Sequence, residues 1–188
     1  NKALRNKSVV INTNFQKVEH SIEDALKIIC GTIKEEIVEN KKSVIILSDR
    51  VIKTGESVIP SLMVLAKVHH YLIEEGIRLK ASLVVVSGEI RDSHDLACHI
   101  AYGASAVWPY LALEKVRQLA LQNNELELSP IKAQENYRKS LNIGLLKIMS
   151  KMGICTISSY RGSELYEIIG LDKDLVSELF KFSKTRTE

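Results

Sequence analysis

The sequence predicts an α/β fold in which a parallel β-sheet is built from βα repeats, as an open sheet or an incomplete barrel, and is followed by a helical C-terminal segment. Short runs rich in Val, Ile and Leu at 8–11, 44–47 and 83–86 are typical of strands. Between them lie segments whose apolar residues recur at helical spacing. Strands that alternate with helices favour right-handed crossovers and a parallel sheet. The strand-like runs are too few to close an eight-stranded barrel.

The first βα repeat is predicted from a strand at 8–11 and a helix that begins at Ser21. Asp24 follows Ser21 by three residues, an arrangement like the capping box of a helix N-terminus. Apolar residues at helical spacing from Ile22 to Ile37 predict one buried face. The next run, at 44–47, is continuously apolar, as expected of a strand covered on both faces.

Two further repeats follow. Pro60 is typical of a first helical position and Gly76 of the residue after a helix. A strand at 83–86 comes next, and Asp92 with Asp95 predicts the start of a helix that reaches Gly103. A short strand is expected at 106–108 and a helix at about 111–121.

The polar, non-periodic residues 123–129 predict a linker between an α/β portion, 1–122, and a helical portion, 130–188. The alternative is a single domain in which the long helix packs across the sheet. Ser129 and Pro130 are typical of a helix start, and an apolar stripe from Tyr137 to Met152 predicts a long helix. Beyond it we expect a strand at 154–157. Two short helices are expected after that strand, at 162–169 and 175–180.

Composition excludes several classes of protein. Among 188 residues, 45% are hydrophobic and 26% charged, which is ordinary for a globular domain. The net charge of +3 and the lack of a run of basic residues argue against a nucleic-acid partner. No apolar run is long enough to cross a membrane. Three scattered cysteines favour a reducing compartment, and the missing initiator Met suggests a piece of a longer chain.

Polar side chains follow the predicted strands at their carboxyl ends, where ligands bind in open α/β sheets. The candidates are Asp49, Arg50, Glu89, Arg91 and His94. In one interpretation Arg50 and Arg91 bind a small anion as guanidinium forks. In the other, which we favour, these residues form salt bridges within the loops, such as Asp49 with Arg91, and cap helices.

No residue is predicted to be catalytic, to bind a cofactor or to ligate a metal. His94 and Cys98 share a helix face, but His99 lies on the far side, so the three are not expected to hold one ion. Cys30 and Cys98 fall in apolar stripes, where a thiol stays protonated, and Cys155 falls in the strand expected at 154–157. No nucleophile elbow, dinucleotide-binding glycine motif or Walker loop occurs.

Four stretches are long and specific. They are LSDR at 47–50, YGASAVWPYLA at 102–112, GLLKIMSKMGI at 144–154 and SSYRG at 158–162. In this order they resemble the large chain of glutamate synthase over about residues 8–181. The first two resemble the second half of its central domain, and the last two resemble the passage from that domain towards the flavin-binding barrel.

The resemblance implies a parent enzyme that converts glutamine and 2-oxoglutarate to glutamate by reductive transfer of the amide nitrogen. That family joins an amidotransferase domain to a flavin domain with FMN and an iron–sulfur cluster. Its electrons come from an NAD(P)H-oxidising small subunit or from ferredoxin. The implied location is the cytoplasm, or the stroma or matrix of an organelle.

The family's catalytic residues have no matching positions here. Residue 1 is Asn instead of the nucleophilic Cys, and no three-cysteine cluster occurs. The resemblance therefore implies a structural, interdomain role, in which Tyr160 and Arg161 contact the flavin barrel. A free-standing module that binds a small anionic metabolite remains an alternative, as does an enzyme with its own site at Asp49, Glu89 and His94.

Overall fold

A computed structural model describes residues 6–19, 21–122 and 128–185. The strands are β1 (Ser8–Asn12), β2 (Asn14–Gln16), β3 (Val44–Ser48), β4 (Glu56–Val58), β5 (Ser82–Val86), β6 (Ala106–Trp108), β7 (Glu167–Ile168) and β8 (Lys184–Thr185). The helices are α1 (Ile22–Val38), α2 (Ser61–Glu74), α3 (Ser93–Ala101), α4 (Tyr110–Gln122), α5 (Pro130–Lys151), α6 (Ile157–Tyr160) and α7 (Lys173–Leu179).

The main sheet is parallel and has the strand order β1-β3-β5-β6. This confirms the predicted α/β fold. Each of the helices α1, α2 and α3 connects one strand to its parallel neighbour, because strands that run the same way need a crossover. All four strands therefore end at one edge, called here the carboxyl edge, and begin at the opposite amino edge.

The core lies between the sheet and its helices. Ile45 of β3 and Leu83 of β5 are fully buried, and so are Ile33 of α1 and Leu65 of α2. Burying side chains of this size stabilises a fold by about 1.5–3 kcal/mol each. The start of α1 follows its predicted cap, because the hydroxyl of Ser21 accepts a hydrogen bond from the N–H of Asp24. Pro60 precedes α2 instead of being its first residue.

The long helix α5 packs against α3 and α4. Its buried residues Leu141, Leu145 and Met149 belong to the same core as the sheet. Close approach to α3 is made possible by Gly144, since a Cβ at that position would lie 1.9 Å from the Oγ of Ser93. Of the predicted linker, residues 123–127 lie outside the described residues, and Ser129 caps α5.

The expected strand at 154–157 is wrong. Thr156 caps the short helix α6 with its hydroxyl, which accepts from the N–H of Ser159, and Cys155 is exposed instead of buried. A side chain that satisfies the first N–H groups of a turn favours a helix over a strand.

The helix expected at 162–169 is also wrong. Gly162 has a φ of +74° and Glu164 a φ of +50°, and a right-handed helix cannot pass through such residues. The segment instead leads into β7, which pairs with β8, so the C-terminal portion is only partly helical. The helix predicted at 175–180 is confirmed as α7. No helix in the described part of the chain has an apolar stretch long enough to span a bilayer.

Candidate functional site

Asp49 fastens the carboxyl ends of β3 and β5 together. Its side chain is buried, and one carboxylate oxygen accepts a hydrogen bond from the Ser87 hydroxyl at 2.5 Å. The backbone N–H of Gly88 lies 3.2 Å from both carboxylate oxygens. The Tyr110 hydroxyl lies beside Gly88, where burial and then the charge of Asp49 raise the pKa of the phenol. Asp49 is thus held by donors from the neighbouring strand end.

Glu89 serves as a cap for a helix of another βα repeat. Helix α2 begins after Pro60, which provides no capping side chain. The carboxylate of Glu89 accepts a hydrogen bond of 2.6 Å from the N–H of Ser61 at the start of that helix. A carboxylate at a helix N-terminus satisfies a free donor and interacts favourably with the helix dipole.

Ser61 and His99 form a buried hydrogen-bonded pair under this edge. The Ser61 Oγ lies 2.9 Å from the Nε2 of His99, and the Nδ1 of His99 lies 2.7 Å from the carbonyl oxygen of Asp95. A carbonyl only accepts, so Nδ1 donates and Nε2 accepts from the Ser61 hydroxyl. Burial lowers the pKa of His99, which keeps the imidazole neutral. The pair has the polarity of a nucleophile and its base, but both side chains are buried, so the hydroxyl is not presented to a substrate.

Among the predicted site residues only Asp49 is buried, and Arg50, Arg91 and His94 are exposed, as is Glu89. The guanidinium of Arg50 lies 5.7 Å from the centre of the Tyr110 ring, a cation–π contact. Arg91 lies 3.7 Å from the carboxylate of Asp95, and its side chain is 80% exposed. The pairing expected between Arg91 and Asp49 does not form, because Asp49 is bound by Ser87 and Gly88 and faces the neighbouring strand.

His94 lies on the exposed side of α3. Its Nε2 is 3.6 Å from the Sγ of Cys98, and its ring meets Tyr166 edge-on. His99, five residues along, faces the core, so the two histidines point apart as expected. The edge thus brings Asp49 and Glu89 together around Ser87, whose hydroxyl accepts from the N–H of Glu89 at 3.1 Å. Arg50, Arg91 and His94 contact other residues.

The thiols of Cys30 and Cys98 are protonated, as predicted for cysteines in the apolar stripes of helices. Burial raises the pKa of Cys30 to about 12 and that of Cys98 to about 11, so both are protonated at neutral pH. No group of three or more metal-binding side chains occurs among residues 6–19, 21–122 and 128–185. The cysteines lie on α1, on α3 and in the loop before α6, an arrangement that does not fit an iron–sulfur cluster.

A flavin phosphate does not fit the backbone turn at Gly162–Ser163, which the sequence made a candidate among the described residues. The N–H of Gly162 donates to the carbonyl of Ile100, and the N–H of Ser163 donates to that of Tyr160. A phosphate cradle needs free backbone N–H groups, and these are already used.

Tyr160 does not contact a neighbouring domain as expected. Its side chain is fully buried, and its hydroxyl lies 3.1 Å from the carbonyl of Ala97 and 2.7 Å from the Tyr166 hydroxyl. Both partners lie within this chain. Arg161 is exposed, and its contact with another domain stays a prediction.

Sequence reasoning also missed a buried pair, His70 and Glu164, whose Nε2 and Oε1 atoms are 2.6 Å apart. The residues are 94 positions apart. Adjacent His69 and His70 in a helical segment were the only sequence signal, and adjacency on a helix sends two side chains in different directions.

Comparison with known proteins agrees with the resemblance in sequence. The profile of a family described as "Glutamate synthase central domain" matches residues 1–172. A ferredoxin-dependent glutamate synthase of Cyanidium caldarium is 42% identical over 177 residues, which is 88% of this chain and 11% of the relative. The NADPH glutamate synthase large chain of Bacillus subtilis is 38% identical over 149 residues, which is 79% of this chain and 10% of the relative. The chain thus spans about a tenth of the length of the curated relatives it matches.

Two solved structures share the fold. A ligand-free DHODH from Eimeria tenella matches with a TM-score of 0.54 at 18% identity, and the match covers 84% of this chain and 39% of the DHODH chain. A mutant flavocytochrome b2 with benzoylformate matches with a TM-score of 0.53 at 19% identity, and the match covers 81% of this chain and 33% of the flavocytochrome chain. At such identities the likeness concerns the fold alone.

Proposed function

The chain belongs to the glutamate synthase central-domain family, and on this premise we propose that it is a structural, interdomain portion of a glutamate synthase large subunit. In this role it holds the parent enzyme's amidotransferase and flavin domains in a fixed relation. The chain itself supplies no catalytic group. The parent reaction is the reductive transfer of the glutamine amide nitrogen to 2-oxoglutarate, which yields glutamate.

The observation that carries the proposal is the state of the carboxyl edge. Ligand sites of open α/β sheets lie there, but the carboxylate of Asp49 binds Ser87 and Gly88, and that of Glu89 binds Ser61. The buried carboxylate of Asp49 has donors for both oxygens and is positioned to stabilise the fold, and the exposed Glu89 uses one carboxylate oxygen to cap a helix. A carboxyl edge held together by these hydrogen bonds is suited to a rigid spacer between two active sites.

The proposed partners follow from the relatives' names. Several relatives are called ferredoxin-dependent, and that of Bacillus subtilis is an NADPH enzyme's large chain. We therefore propose ferredoxin or an NAD(P)H-oxidising small subunit as the electron donor of the parent enzyme. Relatives from Spinacia oleracea and Arabidopsis thaliana are named chloroplastic, which supports an organelle stroma, with the cytoplasm or a mitochondrial matrix as the other expected locations.

FMN and the iron–sulfur cluster are assigned to parts of the parent enzyme outside this chain, because the described residues fit neither group. FMN added to the purified chain is expected to keep its free-solution fluorescence. Stoichiometric quenching that disappears in Arg161→Ala, and that excess inorganic phosphate does not reverse, would show instead that part of a flavin site lies within these residues.

The interdomain role is testable in the full-length enzyme that carries this chain, with Asp49→Asn as the variant. An amide at this position keeps the shape but removes the charge that Ser87 and Gly88 bind. Glutamine hydrolysis and ammonia-dependent glutamate formation are measured separately from glutamine-dependent glutamate formation. We expect both half-reactions to persist while the coupled reaction falls several-fold.

Asp92→Asn is the matched control, because Asn caps a helix about as well as Asp does. It should leave all three activities unchanged. Loss of one half-reaction alone in Asp49→Asn would instead indicate a group of that active site. Unaltered coupling in Asp49→Asn would show that the carboxyl edge has no interdomain role.

A further inference from the structure

A second polar region lies at the opposite edge of the sheet, where the strands begin. It is a cavity of about 590 Å³, called here the amino-edge cleft. Its lining includes the hydroxyls of Ser43, Ser82 and Ser105 and the guanidinium groups of Arg78 and Arg161. The proposed interdomain role uses neither the serine hydroxyls nor Arg78, and it involves Arg161 only through the contact expected with another domain.

The serines form a row across three adjacent strands. Ser43 directly precedes β3, Ser82 is the first residue of β5, and Ser105 directly precedes β6. The backbone N–H of Ser82 donates to the carbonyl of Ser43 at 2.9 Å, so the row follows the strand pairing. None of these three hydroxyls forms a hydrogen bond to another described residue. Each therefore remains able to donate to a ligand.

Arg78 is held rigidly beside this row. Its Nε donates to the Nδ1 of His69 at 2.8 Å, and its terminal nitrogens donate to the carbonyls of Ala81 and Gly103 at 2.8 and 2.7 Å. A guanidinium has five N–H donors, so two remain. All three partners are neutral. The position of the charge is therefore fixed, but the charge is not compensated.

Arg161 provides a second guanidinium to the same cleft. It is exposed, and no described carboxylate forms an ion pair with either arginine. The pKa of Arg78 is lowered first by burial and then by the charge of Arg161, so the two groups repel each other. At the carboxyl edge the carboxylates of Asp49 and Glu89 accept hydrogen bonds, whereas the described residues provide no anion to the two guanidinium groups of the cleft.

We propose that the amino-edge cleft binds a phosphate oxyanion, either free or as the phosphoryl group of a small molecule. Two guanidinium groups and hydroxyls from three strands converge on one cavity, and arginine forks match the oxygen geometry of phosphate. The donors come from several directions. A tetrahedral anion with three or four oxygens can use such a set more fully than a planar carboxylate can.

Calorimetric titration of the full-length protein with inorganic phosphate, at constant ionic strength, tests this proposal. We expect saturable binding that Arg161→Gln weakens tenfold or more. Arg91→Gln is the matched control, because it removes the same exposed charge at the other edge of the sheet and should leave the affinity unchanged. Ser82→Ala, at an exposed position, should weaken binding several-fold without loss of the fold.

Two further titrations separate the sources of the anion. If the cleft binds phosphate monoesters, glycerol phosphate should bind as well as inorganic phosphate. If it binds only the free ion, inorganic phosphate should bind and glycerol phosphate should not. Either result supports the site. Succinate at the same concentration should not bind. Absence of saturable phosphate binding, equal binding of succinate, or equal loss in Arg161→Gln and Arg91→Gln would each overturn the proposal. Each of these titrations measures binding and not the coupled reaction of the parent enzyme, so the phosphate proposal and the interdomain proposal can fail separately.

Discussion

The imidazole of His70 and the carboxylate of Glu164 form a buried pair, with 2.6 Å between Nε2 and Oε1. The Nδ1 of His70 lies 3.0 Å from the carbonyl oxygen of Leu179, which only accepts, so Nδ1 carries a proton. A second proton lies between Nε2 and the carboxylate. The pair joins α2 to two separate C-terminal segments and thereby ties the last part of the chain to the sheet.

We expect Glu164→Ala to lower the free energy of unfolding by about 3 kcal/mol, because a buried partner is then left without its hydrogen bond. Glu164→Gln should cost less than half as much, since its amide donates to Nε2 while Nδ1 keeps its proton. Chemical denaturation followed by circular dichroism measures both values.

Glu75→Ala is the control for this series. Glu75 pairs with Lys34 at 2.6 Å, but on the surface, where solvent screens the charges and such a pair contributes little to stability. An equal cost at Glu75 and Glu164, or an equal cost for Ala and Gln at position 164, would contradict the account of the buried pair.

A loss of stability in mild acid is expected from His69. Burial, followed by the charge of Arg78, lowers the pKa of His69 to about 4, against about 6.5 in an unfolded chain. The unfolded state therefore takes up the proton more readily. The contribution of His69 is complete above pH 6.5 and is lost as the pH falls towards 4, with a total of roughly 3 kcal/mol.

The variant His69→Gln isolates this contribution, because Gln can still accept a hydrogen bond from Arg78 but does not titrate. Unfolding free energies at pH 7.5 and 4.5 should differ more in the unsubstituted protein than in the variant. Parallel pH profiles of the two proteins would show that His69 does not drive the loss.

Gly103 should tolerate substitution far less than Gly76, although both have a positive φ, +104° and +67°. A Cβ at Gly103 would lie 2.2 Å from the Nδ1 of His69, the atom that accepts from Arg78. A Cβ at Gly76 meets nothing within 4 Å. We expect Gly76→Ala to cost about 1 kcal/mol from backbone strain alone, and Gly103→Ala several times more. Equal melting temperatures of the two variants would contradict the close packing of His69.

The parts of the fold that the sequence predicted are those with a local signal. β3 and β5 are continuous apolar runs, and the hydroxyl of Ser21 caps α1 as its position indicates. The three-residue strands β2 and β4 were not predicted because each contains one apolar residue beside two polar ones, whereas the equally short β6 is entirely apolar. The expected strand at 154–157 failed because a single cap, Thr156, outweighed the β-branched composition.

The residues of the candidate site could likewise be predicted only where the sequence carries a local signal. Asp49 and Glu89 were identified because they follow strands whose ends meet in any parallel sheet. Their partners were not, because Ser61 lies 28 residues from Glu89 and Ser87 lies 38 residues from Asp49. The amino-edge cleft has a weak signal, a Ser at or just before three strands, which only the strand pairing brings into one row.

The boundary predicted at 123–129 is testable by limited proteolysis of the native protein, with the first cut expected in this polar stretch. We expect the two fragments, 1–122 and 130–188, to remain associated in gel filtration after the cut. Leu141, Leu145 and Met149 of α5 belong to the core shared with the sheet, and Glu164 binds His70 of α2.

Residues 1–122 expressed alone should be only partly folded, because removal of α5 exposes the faces of α3 and α4 against which it packs. Heteronuclear NMR should then show dispersed signals for β1, β3 and β5 and broadened signals for α3 and α4. If the cut falls elsewhere, the boundary is wrong. If 1–122 unfolds with the same free energy as the intact chain, α5 and the His70–Glu164 pair do not contribute to the stability of the sheet.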